Sequence, residues 1–488
     1  VFKNLYLLAV GWFQVSFLQN FTNKLTTKVF NNILQKKYKY FTGQNSTNFI
    51  KTIANDSVVL RHNLMYCASI ISELFTISLI SILLFLTHPL AMISTVILFF
   101  LGSFVFLYLL KRKTKVWANE RNFFEKRRLA GVKQIINSIR DLKLLGVERK
   151  FIDEFRRDNN FYLNVNKKNE LILQVPRLWI EMLTIITVVF LLFILIFLED
   201  YQILPKSILP ILGLYVAASF KLIPSFNRIV VGIQAIRFVA PVLEEYKKLS
   251  EINDDEREIY VNSDEDIKFK DRINIKNVNF AYEKNEKKVI NDLSIEINAG
   301  DKIGIIGESG SGKSTLLDII TGIIEDYSGE VIVDGKNINK GIKSWRKKIS
   351  YLSQSSVFLN DTLKSNILLG SSNEDESLIQ NSILKAQISE LVNSMPLKEN
   401  TIVGENAVRL SGGEKQRIAL ARIFYLKRNF LILDESTNAL DEETEKKVIS
   451  NIFKEFSNST IIQVSHNIKA LNYCNKIYKL SDGKLKLI

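Results

Sequence analysis

The sequence predicts a polytopic α-helical transmembrane domain fused to an α/β domain built around a phosphate-binding loop. Three observations carry that prediction: apolar stretches of bilayer length fill the first half, a polar half follows, and the polar half holds one glycine-rich loop between two apolar runs. Charge divides at the same place. Residues 1–250 contain 32 Lys+Arg against 15 Asp+Glu, whereas residues 251–488 contain 33 against 36. The excess behind the net charge of +14 therefore sits in loops between apolar spans, which argues against a nucleic-acid partner. Two cysteines, Cys67 and Cys474, and three scattered histidines, His62, His88 and His466, support neither a disulfide framework nor a metal cluster. Abundant Lys, Asn and Ile fit an AT-rich bacterial genome.

The first 248 residues are expected to form the membrane domain, with spans near 5–21, 64–86, 89–110, 175–198 and 205–232. Leu64 to Leu86 makes about 35 Å of helix, enough for a hydrocarbon core of about 30 Å. Length rules out a buried soluble helix for the middle three spans, while the first leaves that alternative open. The links Thr87-His88-Pro89 and Glu199-Asp200-Tyr201-Gln202 carry no Lys or Arg; the connections Thr22–Asn63 and Lys111–Gln174 carry many and are expected on the cytoplasmic side. Helical patterning from Leu142 to Phe155 predicts long helices that project from the membrane, with short cross-helices at their tips. An acidic linker over 249–270 leads to the second domain, 271–488.

In that domain Ile303-Gly-Ile-Ile306, the loop Gly307-Glu-Ser-Gly310-Ser-Gly312-Lys313-Ser314-Thr315 and Leu316-Leu-Asp-Ile-Ile320 read as strand, loop and helix. The glycines let backbone N–H groups wrap phosphates at a helix N-terminus, Lys313 reaches the outer phosphates, and Ser314 is a ligand for Mg²⁺. Phe430-Leu-Ile-Leu433 is a buried-strand run ending in Asp434 and Glu435. Asp434 suits a hold on Mg²⁺ and Glu435 the polarisation of a water; the plain alternative is a strand with acidic residues at its solvated end. Leu410-Ser411-Gly412-Gly413-Glu414 opens a helix with free N–H groups, either a second anion site or an ordinary capped helix.

Together with Tyr282, Gln354, Asn438-Ala-Leu-Asp441 and His466, these motifs resemble the ATP-binding cassette (ABC) ATPases over residues 271–488. The resemblance implies ATP and Mg²⁺ as ligands. It implies that Tyr282 stacks on adenine, that Gln354 links Mg²⁺ and water to the membrane domain, and that Ser411, Gly412 and Gly413 meet the γ-phosphate of an opposite subunit. Asp441 then joins the two sites, His466 senses the γ-phosphate, and Glu435, His466 and Gln354 form the catalytic set. Two positions depart from the pattern: Glu414 stands where glutamine is commoner, and Asn438 where a small residue is usual. Neither removes a catalytic group.

Exporters of the ABC half-transporter type have six spans and work as dimers, so the resemblance implies a homodimer and a chain lacking its first span and outer loop. A missing leading span also reconciles the start at Val1 with an odd number of visible spans. Within the spans Arg177 and Glu181 lie four apart, Glu73 lies in the second, and Lys221 and Arg228 share a helical face. A charge at mid-bilayer costs about 2.5–3.5 kcal/mol on insertion scales, so these residues are expected to face a cavity or each other. One reading makes Arg177, Lys221 and Arg228 a basic site for an anionic headgroup such as pyrophosphate. The other pairs Arg177 with Glu181 and lets Arg228 reach the inner interface.

Val175-Pro176-Arg177-Leu-Trp-Ile-Glu181 and Phe220-Lys221-Leu-Ile-Pro224-Ser-Phe-Asn-Arg228-Ile resemble helices of the PglK-type flippases. That resemblance implies ATP-driven flipping of lipid-linked oligosaccharides across the bacterial inner membrane. Lys221 stands where arginine is expected and loses its bidentate fork. Export of drugs, lipids or peptides, and a regulatory membrane ATPase that gates a partner, are the alternatives.

Overall fold

The computed structural model describes residues 1–87, 89–200, 208–251, 257–258, 265–282, 287–354, 356–404, 410–435 and 440–488. His88, Asn438, the start of the span expected at 205–232 and much of the expected linker lie outside the described residues. The chain divides into a helical unit, Val1–Lys36 with Tyr40–Glu256, and an α/β unit, Arg257–Ile488 with Lys37–Lys39.

Among the described residues five long helices build the helical unit: Phe2–Leu34, Ser57–Thr87, Pro89–Asn137, Glu148–Asp200 and Ile208–Ser250. Among the described residues three stretches, Ser46–Thr87, Glu148–Phe190 and Ala217–Ser250, are long and apolar enough to cross a membrane. Their outer faces leave Leu79, Ile82 and Ile185 exposed, as lipid-facing helices must. Small residues let the helices close up: a Cβ on Gly102 would collide with Leu183, and one on Gly232 would meet Ile70 at 3.0 Å. The Trp179 indole donates to the Gly102 carbonyl at 3.0 Å, and Phe99 stacks on Phe226 at 5.1 Å in the same core. Pro176, Pro224 and Pro241 lie inside helices.

The long helices Pro89–Asn137 and Glu148–Asp200 flank the short helix Ile139–Leu145, in keeping with the short cross-helices expected at such tips, and Gly146 in a left-handed conformation (φ 64°) ends that short helix inside the Leu142–Phe155 stretch. Glycine alone adopts that backbone without a Cβ penalty, so the periodicity continues across a corner that the apolar pattern does not reveal. A buried ion pair also goes unsignalled: Lys51 Nζ donates to both Asp56 oxygens at 2.9 and 3.0 Å, and each residue is 1% exposed. It closes one turn of π-helix over Lys51–Asp56.

The α/β unit has two main sheets. Strands β1 (Arg272–Phe280), β2 (Ile290–Asn298), β4 (Ser328–Val333) and β5 (Lys336–Asn337) form an antiparallel sheet in the order β2-β1-β4-β5. The second contains β3 (Lys302–Ile306), β6 (Ile349–Leu352), β9 (Phe430–Asp434), β10 (Thr460–Val464), β11 (Lys476–Ser481) and β12 (Lys484–Leu487). Its order is β12-β11-β3-β10-β9-β6, parallel except for β12. The short β7 (Asp361–Thr362) and β8 (Ile402–Val403) pair separately. Every residue of β9 and β10 is buried, because helices or sheet cover both faces; the apolar run Phe430–Leu433 follows from that, while β10 buries Thr460 and Gln463 beside its apolar residues. Parallel strands also point the same way, so the segments leaving β3, β6, β9 and β10 emerge at one edge of the sheet. That edge is where ligands bind in open α/β folds.

Candidate functional site

At that edge β3 runs into the phosphate loop. Gly310 and Gly312 have φ of 80° and 99°, and a Cβ on Gly307 would lie 2.6 Å from the Leu480 carbonyl oxygen. The loop is therefore shaped by backbone that only glycine permits, and inside it the Ser311 N–H donates to the Glu308 carbonyl at 3.2 Å. Lys313 opens the Lys313–Ile320 helix, and its ammonium donates to the Gly307 and Glu308 carbonyls at 2.9 and 3.0 Å. Ser314 is exposed beside it, while Thr315 is buried and shares a 3.0 Å hydrogen bond with the Tyr282 hydroxyl.

From the end of β9, Glu435 turns into the same space through a left-handed backbone (φ 47°), its N–H donating to the Val464 carbonyl on β10. Its carboxylate lies 2.6 Å from His466 Nε2, 4.0 Å from Lys313 Nζ and 3.4 Å from the donating Gln354 amide. The structure thus brings Lys313, Gln354, Glu435 and His466 together from four strand ends. Asp434 accepts a 2.9 Å hydrogen bond from Tyr351 on β6. Burial raises the Asp434 carboxyl above the usual carboxylate range, opposed by the Tyr351 hydrogen bond and Lys313 and assisted by Glu435. Motif reading missed two neighbours. Tyr351 is one; the other is Asp318, which burial and the charge of Asp434 raise to about 6. Tyr351 carried a signal, since it lies three residues before Gln354 on a strand leading to the same edge.

Ser411 caps the Gly412–Leu426 helix, accepting from the Glu414 N–H at 3.2 Å, while Glu414 accepts from the Ser411 N–H at 2.6 Å. This reciprocal capping box works with glutamate or glutamine, which accounts for the departure at Glu414. Among the described residues no hydrogen bond or ion pair joins Ser411, Gly412 or Gly413 to the phosphate loop. Asp441 caps the Glu442–Glu455 helix by accepting from Thr444 at 2.9 Å, and that bond holds its carboxyl below the usual range.

In the helical unit Arg177 pairs with Glu181 at 3.0 Å, and Arg228 pairs with Glu73 at 2.7 Å. A cavity of about 800 Å³ is lined by Arg228 with Arg121, Asn63, Asn227, Tyr66 and Tyr162. Arg177 and Lys221 are not among its lining residues, so the three cations expected in one basic site are not brought together there. Seven residues keep Lys221 on the helical face of Arg228 but put it about 10 Å further along the axis, beyond this wall.

Residues 290–438 match the family model described as ABC transporter, and residues 5–216 match that described as ABC transporter transmembrane region. The chain is 37% identical over 214 residues to ABC transporter B family member 24, mitochondrial, of Arabidopsis thaliana, covering 44% of this chain and 31% of that protein. A Staphylococcus aureus protein whose name describes a multidrug export ATP-binding/permease protein is 34% identical over 215 residues, 44% of this chain and 37% of the relative. The match therefore spans about a third of the length of these relatives. The structure of a bacterial Atm1-family ABC exporter with ATP bound shares the fold, with a TM-score of 0.83 at 22% identity over 96% of this chain and 82% of that one. With an ABC transmembrane region followed in one polypeptide by an ABC ATPase domain, the chain belongs to the ABC transporters and has the build of an exporter half-transporter.

Proposed function

We propose that the chain is one half of a dimeric, ATP-driven transporter whose cargo is a lipid-linked oligosaccharide, a polyprenyl-pyrophosphate glycan flipped across the bacterial inner membrane. The observation that carries the ATP-driven part is the meeting of Lys313, Gln354, Glu435 and His466 at one sheet edge. The loop fits a triphosphate: its glycines clear the backbone, and Lys313 exchanges two carbonyl contacts for phosphate oxygens. The hydroxyl of Ser314, the amide of Gln354 and the carboxylate of Asp434 are the oxygen donors a hard cation takes, and Mg²⁺ held there would neutralise charge on the phosphates. Glu435 orients a water and takes its proton, with His466 fixing one oxygen of the carboxylate. Tyr282 supplies the aromatic face for adenine. Ser411, Gly412 and Gly413 face a partner chain and close its site, and Asp441 connects the two.

The substrate assignment rests on the resemblance of residues 175–181 and 220–229 to PglK-type helices and on Arg228 in a cavity of the helical unit. A second reading, export of a drug, lipid or peptide, is favoured by the Arg177–Glu181 and Arg228–Glu73 pairs, which neutralise two of the three cations meant for pyrophosphate. Reconstitution separates the two. Wild-type protein in proteoliposomes is expected to flip a fluorescent polyprenyl-pyrophosphate oligosaccharide with ATP. Glu435→Gln is expected to keep ATP binding and to lose hydrolysis and flipping by about 10²-fold or more. Movement of cationic drugs with the lipid left in place would hand the assignment to the exporter.

A further inference from the structure

We propose that Tyr351 is a positioning residue for the metal-bound nucleotide: its hydroxyl fixes the Asp434 carboxylate in the orientation that Mg²⁺ requires. This rests on the ATP and Mg²⁺ reading of the phosphate-loop site and sharpens it. Strands β6 and β9 run parallel, with Tyr351 opposite Ile432. Asp434 lies two residues beyond Ile432, so strand alternation puts it on the same face, about 6.5 Å further along. A side chain on β6 must lean forward by that distance to reach it. Tyrosine is long enough and ends in a donor, and its hydroxyl closes the gap at 2.9 Å from Asp434 Oδ2. Serine or threonine on that rung would fall short, and phenylalanine would arrive with nothing to donate.

Among the described residues no other side chain bonds to the Asp434 carboxylate, which is 8% exposed, and no lysine or arginine pairs with it. The kind of donor matters. A charged donor would cancel the negative charge that draws a cation, whereas a phenol is neutral near physiological pH and takes up one oxygen only. Mg²⁺ demands near-octahedral geometry, so a carboxylate that meets it, directly or through a bound water, must hold one orientation. Removing a partner that orients a metal ligand typically lowers metal affinity about ten- to a hundredfold. The same strand leads on to Gln354, whose amide donates to Glu435 at 3.4 Å. One segment therefore steadies both carboxylates at the end of β9. The Tyr351 ring itself packs against the core of the α/β unit, so a purely structural role is the competing account.

The test uses the full chain in lipid nanodiscs, carrying Glu435→Gln so that ATP persists and kept in excess of ATP. Mn²⁺ is the probe, its free signal read by electron paramagnetic resonance. Tyr351→Phe keeps the ring and removes only the hydroxyl. It is expected to bind Mn²⁺ about tenfold more weakly with ATP present, while ATP affinity measured in EDTA is unchanged. Tyr351→Leu, which also lacks a donor, should lose at least as much; a loss confined to leucine would make packing the cause. With Glu435 restored, the Mg²⁺ concentration for half-maximal ATPase activity should rise about tenfold in Tyr351→Phe, and kcat should recover at saturating Mg²⁺. The inference is overturned if Tyr351→Phe holds Mn²⁺ as tightly as its parent, if metal-free ATP affinity falls by the same factor, or if excess Mg²⁺ fails to restore kcat. Those results would leave the metal assignment standing. Absence of Mn²⁺ uptake by the parent, or undiminished uptake with Asp434→Asn, would remove that assignment from the proposed function and the inference with it.

Discussion

Asp318 lies in the Lys313–Ile320 helix, where the motif reading saw only the apolar half of a pattern. Its carboxyl is raised to about 6, by burial first and by the charge of Asp434 second. The sign of the effect on stability follows. Between the ordinary value of 3.8 and about 6, the folded chain binds the proton that the unfolded chain has lost, so stability falls as pH rises through that window. Above it the cost is complete. Asp318→Asn removes the ionisation and is expected to raise the melting temperature at pH 7.5, with the gain gone by pH 4 when measured on nucleotide-free protein. An equal gain at both values would show that packing, not charge, sets the effect. Glu435 was legible because it follows a strand run, and His466 through the family resemblance; Asp318 was not, because nothing in one helix shows which neighbouring carboxylate it will face.

The phosphate loop was legible as an element, since two apolar runs bracket its glycines and fix strand, loop and helix. Its individual glycines do different work. At Gly310 a Cβ meets open space, yet φ is 80°, a conformation that costs other residues about 1–2 kcal/mol. At Gly307 the obstacle is contact: a Cβ falls 2.6 Å from the Leu480 carbonyl and 2.7 Å from Ser311 Oγ. Backbone cannot yield as a side-chain tip can. Gly307→Ala is therefore expected to shift the loop and lower ATP affinity about tenfold or more, about 1.4 kcal/mol, as read by a fluorescent nucleotide. Wild-type affinity in that variant would refute the packing argument. The corner at Gly146 shows the converse limit, since its apolar pattern runs through a turn that only the backbone conformation reveals.

At the scale of the molecule, the two-part architecture was plain from charge and hydropathy, whereas the cavity was not. Asn63, Arg121, Tyr162 and Asn227 come from four helices far apart in sequence, and no local period links them. The Arg228–Glu73 pair is hidden for the same reason. The proposed composite site makes a prediction of its own. Lys313→Ala and Ser411→Arg should each abolish ATPase activity in homodimers. A purified heterodimer of the two has one site with both lesions and one with neither, so partial activity should return. Heterodimers as inactive as the parents would mean that the signature does not act across the dimer or that one site cannot fire alone.

Pro224 and Pro241 give the last helix a mechanical character. Each lacks the N–H that would tie it to the turn before, so bending stiffness is lowest at those two points. Between them lie Asn227, Arg228 and Phe238, the cavity wall that this helix supplies. That stretch can tilt as one stiff plank between two compliant joints, carrying its amide and guanidinium together and keeping their spacing while the opening around them changes.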